Sequence, residues 1–200
     1  MPKALLLISG GFDSPVAGSV LLGQELQLEA VHFSNKLAGK EPGEKCKKLA
    51  RILGIQKLWV CEIGPALAKI AQEAEPRDYF VLMKRLMLRA AERLAKQRSC
   101  AFLATGENLG QVSSQTLTNL EVIDKATSMV VLRPLVGWDK QEIIDRAKKI
   151  GTHDASVGPE CCDILGPAKA GTRARLEKIV EQEERLGVGK IAQGLEFEGL

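Results

Sequence analysis

Six residues near the amino terminus, Ser9-Gly10-Gly11-Phe12-Asp13-Ser14, have the types and spacing to hold an anion. They follow an apolar run at 3–8 and open a helix expected from Pro15 to Gly23. Paired glycines let the backbone come close to an oxyanion, and the N–H groups at a helix start point outward at it. Ser9 and Ser14 add hydroxyl donors. The segment lacks the Gly-Lys-Ser/Thr ending of a Walker A loop and is not Gly-x-Gly-x-x-Gly. Asp13 would repel a phosphate unless it holds Mg2+ or orients a donor. The bland alternative is a glycine-rich turn in which Asp13 or Ser14 caps the helix.

A second polar stretch runs from Thr105 to Leu120, after an apolar run at 101–105. Gly106 and Gly110 permit tight backbone, and Ser113 can cap a following helix. Gln111, Ser114, Gln115 and Thr116 are uncharged donors. By residue type alone this is either a ligand-facing surface or an ordinary loop from strand to helix. Elsewhere, Cys161 and Cys162 are adjacent and sit between two Gly-Pro pairs. Arg85, Arg89 and Arg93 recur at helical spacing, with Lys96 beyond. They form either a solvated face partly paired with Glu92 or a track for nucleic-acid phosphates. Lys45, Lys47, Lys48 and Arg51 make a second basic face.

These residues need a scaffold, and the pattern supplies one. Short apolar runs at 3–8, 28–33, 57–63, 101–105 and 130–134 alternate with helical stretches at 15–23, 42–53, 65–73, 78–97 and 139–150. Apolar strands between helices predict a five-stranded parallel sheet covered on both faces, a doubly wound, Rossmann-like α/β fold. Asp139 with Glu142 three residues on reads as a capping box. Residues 151–171 read as a long loop, 172–186 as a charged helix and the remainder as a loosely held tail. The expected organisation is one domain over 1–171 followed by a C-terminal helix and tail at 172–200.

Composition sets the outer limits. The 200 residues are 45% hydrophobic and 26% charged, which excludes a disordered chain, a collagen-like chain and a disulfide mini-protein. No apolar run reaches about 18 residues, so no membrane span is expected. The start does not read as a signal peptide. The 28 basic against 25 acidic residues leave a net charge of +3, which permits a nucleic-acid partner without demanding one. Five cysteines without a C-x-x-C pair read as free thiols in a reducing cytoplasm rather than disulfides or a zinc ribbon.

The Ser-Gly-Gly-x-Asp-Ser loop after the first strand resembles the PP-loop of ATP pyrophosphatases. Those enzymes cleave ATP between its α- and β-phosphates and transfer AMP to an oxygen of the substrate. The stretch 105–120 resembles the signature of the tRNA 4-thiouridine synthase, or tRNA sulfurtransferase, family (ThiI). Further collinear likenesses are Arg85, Met87 and Arg89 to its Arg-Arg-Met-x-Arg helix, and Val131 to Leu135 with Asp139-Lys140 to its Leu-Arg-Pro-Leu…Asp-Lys segment. Pro159-Glu160-Cys161-Cys162 is similar to its Pro-Glu-x-Cys loop.

The resemblance implies ATP held by Ser9, Gly10, Gly11, Phe12, Ser14, His32, Phe33, Gly106 and Gln115, with Mg2+ bridging the phosphates. It implies catalytic roles for Asp13 and Lys140, and for Cys162 as a sulfur-carrying thiol. Arg85, Arg89 and Arg93 are the residues expected to bind tRNA. No protein metal site is expected, although Cys100 and Cys162 could be remnants of an iron–sulfur set. Full-length members carry an RNA-binding THUMP region, and some a rhodanese domain. This sequence starts about eight residues before the loop, so a stand-alone form is expected, with tRNA held through a separate THUMP-containing protein. Sulfur would come from a cysteine desulfurase or sulfide, and a homodimer is the expected assembly. Two rival readings are a PP-loop enzyme that adenylates a small molecule and a non-catalytic ATP- or AMP-binding partner subunit.

Overall fold

The computed structural model describes residues 1–36, 41–110, 115–158 and 165–200. Its centre is a sheet with strand order β5-β4-β1-β2-β3-β6. The strands are β1 (Lys3–Leu7), β2 (Gln27–Ser34), β3 (Leu58–Glu62), β4 (Phe102–Ala104), β5 (Val131–Leu132) and β6 (Glu198–Gly199). The first five are parallel, with Leu5 of β1 opposite Glu29 of β2 and Leu103 of β4. β6 runs antiparallel on the outer edge, with Gly199 opposite Trp59.

The chain winds outward from β1 through β2 to β3, then returns to lay β4 on the other side of β1. The order therefore reverses between β1 and β4. Loops leaving those two strands diverge to opposite faces, and the crevice between them is where open α/β sheets bind ligands. Both expected motifs leave from these strands.

The period of two along β1 explains why the sheet needs cover on both faces. Leu5 points into a large core with α3 (Gly64–Glu73), α4 (Tyr79–Gln97), α5 (Leu117–Asp124), α8 (Leu176–Leu186) and α9 (Val188–Gly194). Ala4, Leu6 and Ile8 point the other way, toward α1 (Asp13–Gly23) and α2 (Glu41–Ile52). α6 (Lys140–Lys149) packs on α1 through Ile143 and Ala147, and the short α7 (His153–Ser156) follows. Among the described residues no helix is long and apolar enough to cross a membrane.

Three expectations are corrected. The sheet has six strands, not five, because the C-terminal residues pair with β3. A two-residue strand carries no periodicity, so sequence could not announce it. The segment 151–171 is not all loop, since it contains α7. The tail is not loosely held. Phe197 lies edge-on to Phe33 at 6.4 Å and under the Arg93 guanidinium, and the Leu200 N–H donates to the Leu58 carbonyl at 2.8 Å.

α4 shows why. Its expected basic stripe exists, but it faces the C-terminal helices. Arg85 is only 1% exposed. Its Nε and Nη2 donate to the two carboxylate oxygens of Glu183 at 2.9 and 2.6 Å, and Nη1 donates to the Val122 carbonyl. Arg89 donates to the same carboxylate at 2.9 Å, and Arg93 donates to the Leu195 carbonyl. Burial pushes the Glu183 carboxyl upward, but the two guanidinium groups outweigh it and hold the pKa below the usual range. A bidentate Arg–carboxylate pair of this kind ties α8 to α4. Arg85 is therefore closed to a phosphate, and Arg89 and Arg93 are engaged in holding the C-terminal segment.

Candidate active site

The phosphate loop is shaped by its own serines. The Ser9 N–H donates to Ser14 Oγ at 2.9 Å, and the Ser14 hydroxyl donates back to the Ser9 carbonyl at 3.2 Å. The Gly11 N–H donates to Ser9 Oγ at 3.3 Å. These bonds close the turn between β1 and α1. The start of α1 carries no side-chain cap, and uncapped N–H groups at a helix start are the kind that receive an anion. Phe12 packs against the Val16, Leu135 and Ile143 cluster, and its ring centroid lies 5.3 Å from that of His153.

The second motif meets this loop directly. A β-carbon placed on Gly106 would lie 2.5 Å from the Ser14 nitrogen and 2.6 Å from the Asp13 carbonyl carbon. Only glycine lets the backbone leaving β4 pass so close to the start of α1. From there the loop reaches α6. Asn108 donates from its side-chain amide to the Trp138 carbonyl, and the Leu109 N–H donates to the Val136 carbonyl at 3.3 Å. Gln115 closes the loop on itself, its carboxamide oxygen accepting from the Asn108 N–H at 3.2 Å. The capping box is present, with the Asp139 carboxylate accepting from the Glu142 N–H at 2.9 Å and Glu142 accepting from the Asp139 N–H at 2.9 Å. It places exposed Lys140 at the first residue of α6.

Charges gather around Asp13. Burial raises its carboxyl pKa, while Lys140 and Lys84 pull it down. Lys84, on α4, donates to Glu107 at 2.5 Å. The other Glu107 oxygen accepts from Arg133 Nε at 2.7 Å and from the Thr105 hydroxyl at 3.0 Å. Burial alone would push Glu107 up, but Lys84 and Arg133 hold it at about 2. Arg133 also grips Asp124 at 2.5 Å. Glu107 is thus a fixed negative charge that sets the direction of the Lys84 side chain beside Asp13.

Lys45 completes the cationic wall. It is buried on α2, and its Cε and Nζ lie 3.3 and 3.5 Å from where a β-carbon on Gly10 would sit. Lys84, Glu107 and Arg133 escaped notice in the sequence as site residues, and Lys45 was legible only as one cation of a basic face. Their signal was weak because each comes from a different element. Only the Gly106 register could have hinted that Glu107, next in line, must face the same crevice.

His32 and Phe33, expected to hold ATP, are adjacent residues on β2. Adjacent strand residues point to opposite faces. His32 lies 1% exposed beneath the loop, its Nδ1 3.2 Å from the Ile8 carbonyl and 3.3 Å from Cys46 Sγ. Phe33 is buried in the core on the other face. Of the remaining expected residues, Ser9, Gly10, Gly11, Phe12, Asp13, Ser14, Gly106, Gln115 and Lys140 come together at the β1–β4 crevice. Gln111, Ser113, Ser114, Pro159, Glu160, Cys161 and Cys162 lie outside the described residues. The three described cysteines, Cys46, Cys61 and Cys100, are buried, and burial pushes the Cys61 thiol up to about 12.

The family model for "Thiamine biosynthesis protein (ThiI)" matches residues 1–188. The chain belongs to the ThiI family. A probable tRNA sulfurtransferase of Caldanaerobacter subterraneus subsp. tengcongensis is 37% identical over 98% of this chain and 53% of its own length. One from Thermus thermophilus is 40% identical over 92% of this chain and 47% of its own length. The chain thus spans about half the length of these curated ThiI relatives. Among solved structures, a 4-thiouridine synthetase–RNA complex with bound ATP superposes with a TM-score of 0.89 at 32% identity, covering 100% of this chain and 55% of that one. An NMN synthetase from Francisella tularensis matches at a TM-score of 0.60 and 15% identity, which speaks to the shared fold alone.

Proposed function

We propose that this ThiI domain is the catalytic unit of an ATP-dependent tRNA sulfurtransferase that makes 4-thiouridine. The observation that carries the reading is the Gly106 approach. It joins the phosphate loop, the family signature and Lys140 into one surface at the sheet's reversal point.

ATP lies with its pyrophosphate on residues 9–14, where backbone N–H groups receive the phosphate oxygens. Lys45 adds positive charge beside Gly10, and Lys84 and Lys140 add it beside Asp13. Asp13 fits the single-carboxylate share that Mg2+ takes when substrate phosphates complete its shell, and a bound Mg2+ would neutralise phosphate charge there. The uridine carbonyl oxygen attacks the α-phosphorus, and pyrophosphate leaves. Lys140 and Lys84 are placed to stabilise charge that grows on the phosphoryl oxygens. Sulfide then attacks the activated carbon and AMP departs; where the outer sulfur of a Cys162 persulfide attacks instead, AMP departs and an external thiol then cleaves the S–S bond, leaving the thiolated base and a disulfide on Cys162. Burial of Cys46, Cys61 and Cys100 supports a sulfur carrier elsewhere in the chain. RNA recognition is shared with a separate THUMP-containing protein.

The test combines the purified chain with ATP, Mg2+, sulfide and unmodified tRNA, and follows pyrophosphate release and thiolated nucleosides by mass spectrometry. The expected result is 4-thiouridine that Asp13→Asn and Lys140→Ala each abolish; Cys162→Ala abolishes it when a persulfide donor with a reducing thiol replaces sulfide, and keeps it when sulfide is supplied. ATP turnover stimulated by a small metabolite but not by tRNA would overturn the acceptor assignment.

A further inference from the structure

The exposed cations that α4 fails to supply are found on another segment. Residues 165–175 carry Lys169, Arg173 and Arg175 and no acidic residue. The segment is tied down rather than trailing. The Gly171 N–H donates to the Arg77 carbonyl at 2.8 Å, and the Gly171 carbonyl accepts from the Asn119 side chain at 2.8 Å. The Thr172 carbonyl accepts from Thr116 Oγ1 at 2.8 Å, and the Ala174 N–H donates to Asn119 Oδ1 at 2.9 Å. Gly166 is pressed against the Phe80 ring, leaving no room for a β-carbon.

These anchors locate the strap. Thr116 and Asn119 belong to the start of α5, which the second motif feeds. Phe80 lies one turn before Lys84 on α4. The strap therefore crosses the rim of the crevice that holds the phosphate loop. Ala174 is buried while Arg173 and Arg175 on either side are exposed. Both arginines therefore turn toward solvent on either side of the buried Ala174. Arg77 is exposed beside them, at the carbonyl that receives Gly171. Among the described residues, the side chains of Arg77, Lys169, Arg173 and Arg175 have no hydrogen-bond or ion-pair partner. Every arginine of the α4 stripe, in contrast, is engaged by protein. Glu75 and Glu177 flank the group without pairing with it.

We infer that the strap 165–175, with Arg77, is the surface on which the RNA acceptor's phosphodiester backbone docks, bringing a nucleotide to the phosphate-loop crevice. The inference rests on the RNA acceptor assigned under the proposed function. Unpaired arginines on a pinned backbone suit phosphate contacts, because the backbone is already ordered and the cations need not give up a protein partner. Such contacts position a substrate without reading its sequence.

The test measures binding of an unmodified tRNA transcript to the full chain by fluorescence anisotropy across a salt series. The strap variant is Arg77→Gln/Arg173→Gln/Arg175→Gln. The control is Lys57→Gln/Lys148→Gln/Lys149→Gln, which removes equal charge at the opposite end of the sheet. Each phosphate contact contributes roughly 0.7–0.9 to the log–log salt slope, so the strap variant loses about 2–3 from that slope. Its affinity falls at least about tenfold near physiological salt, while its ATP affinity matches the parent and the control stays within about twofold. Unchanged affinity and slope in the strap variant overturn the inference and leave the RNA acceptor reading intact. An equal loss in both variants also overturns it, because binding would then follow net charge alone. A parent chain with no measurable tRNA affinity at low salt overturns the inference, and the acceptor reading is then judged separately by tRNA-dependent pyrophosphate release.

Discussion

Gly106→Ala isolates the junction on which the site depends. The added methyl would stand 2.5 Å from the Ser14 nitrogen, 2.6 Å from the Asp13 carbonyl carbon and 2.8 Å from the Ser14 Cα. All three are backbone atoms of the first turn of α1, so no rotamer change can relieve the clash. Restoring an ordinary contact of 3.4 Å means displacing one backbone from the other by roughly 0.9 Å. Overpacking of this kind costs about 1–3 kcal/mol of stability. Displacement by about 1 Å at a catalytic constellation costs on the order of a hundredfold in rate. Calorimetric ATP titration and ATP-dependent pyrophosphate release are the assays, with urea denaturation beside them. Gly54→Ala is the companion. Gly54 has φ +70° with open space around it, at the end of α2 away from the crevice. Alanine there costs about 1–2 kcal/mol through left-handed backbone strain, with nothing displaced in the site. The expected result is similar destabilisation in both variants and loss of ATP chemistry only in Gly106→Ala. Pyrophosphate release within threefold of the parent in a folded Gly106→Ala protein would refute the reasoning.

Glu183→Ala leaves Arg85 buried without its carboxylate and should cost about 3–5 kcal/mol in urea denaturation, whereas Arg85→Met/Glu183→Leu should recover much of it. Lys45→Met should weaken ATP binding by about tenfold or more in calorimetric titration, the loss expected of a charge-assisted phosphate contact. Glu107 has its folded pKa depressed from 4.5 to about 2, so the stability it contributes is present above pH 4.5 and lost as pH falls through 2. The loss across that window is about 3 kcal/mol, and acid titration of stability should show it in the parent but not in Glu107→Gln. Phe197→Ala removes the edge contact to Phe33 and the ring beneath Arg93. Hydrogen exchange should then accelerate along β6 and β3 while the phosphate loop is unaffected.

What sequence revealed and what it hid divide along a physical line. Contiguous motifs survived translation into structure because their chemistry is local. Ser9 and Ser14 bond each other across five residues, Asp139 and Glu142 across three, and the strands announce themselves by apolar runs. Groups that are paired across the chain did not survive. The spacing of Arg85, Arg89 and Arg93 is a true statement about one helix face, but spacing cannot say what covers that face. The answer, Glu183, lies 98 residues beyond Arg85. A buried arginine and a phosphate-binding arginine look alike until the carboxylate is placed.

The same limit acts in reverse on Lys84 and Lys45. Each reads as a solvated helix cation until the fold sets one beside Asp13 and the other against Gly10. It acts too on the tail, whose strand and aromatic contacts exist only because Arg93 and Phe33 wait for them. Charge spacing along a helix therefore serves as evidence of a ligand only after every carboxylate that could reach it has been placed. By that standard α4 drops out as an RNA surface, and the unpaired cations at the rim take its place.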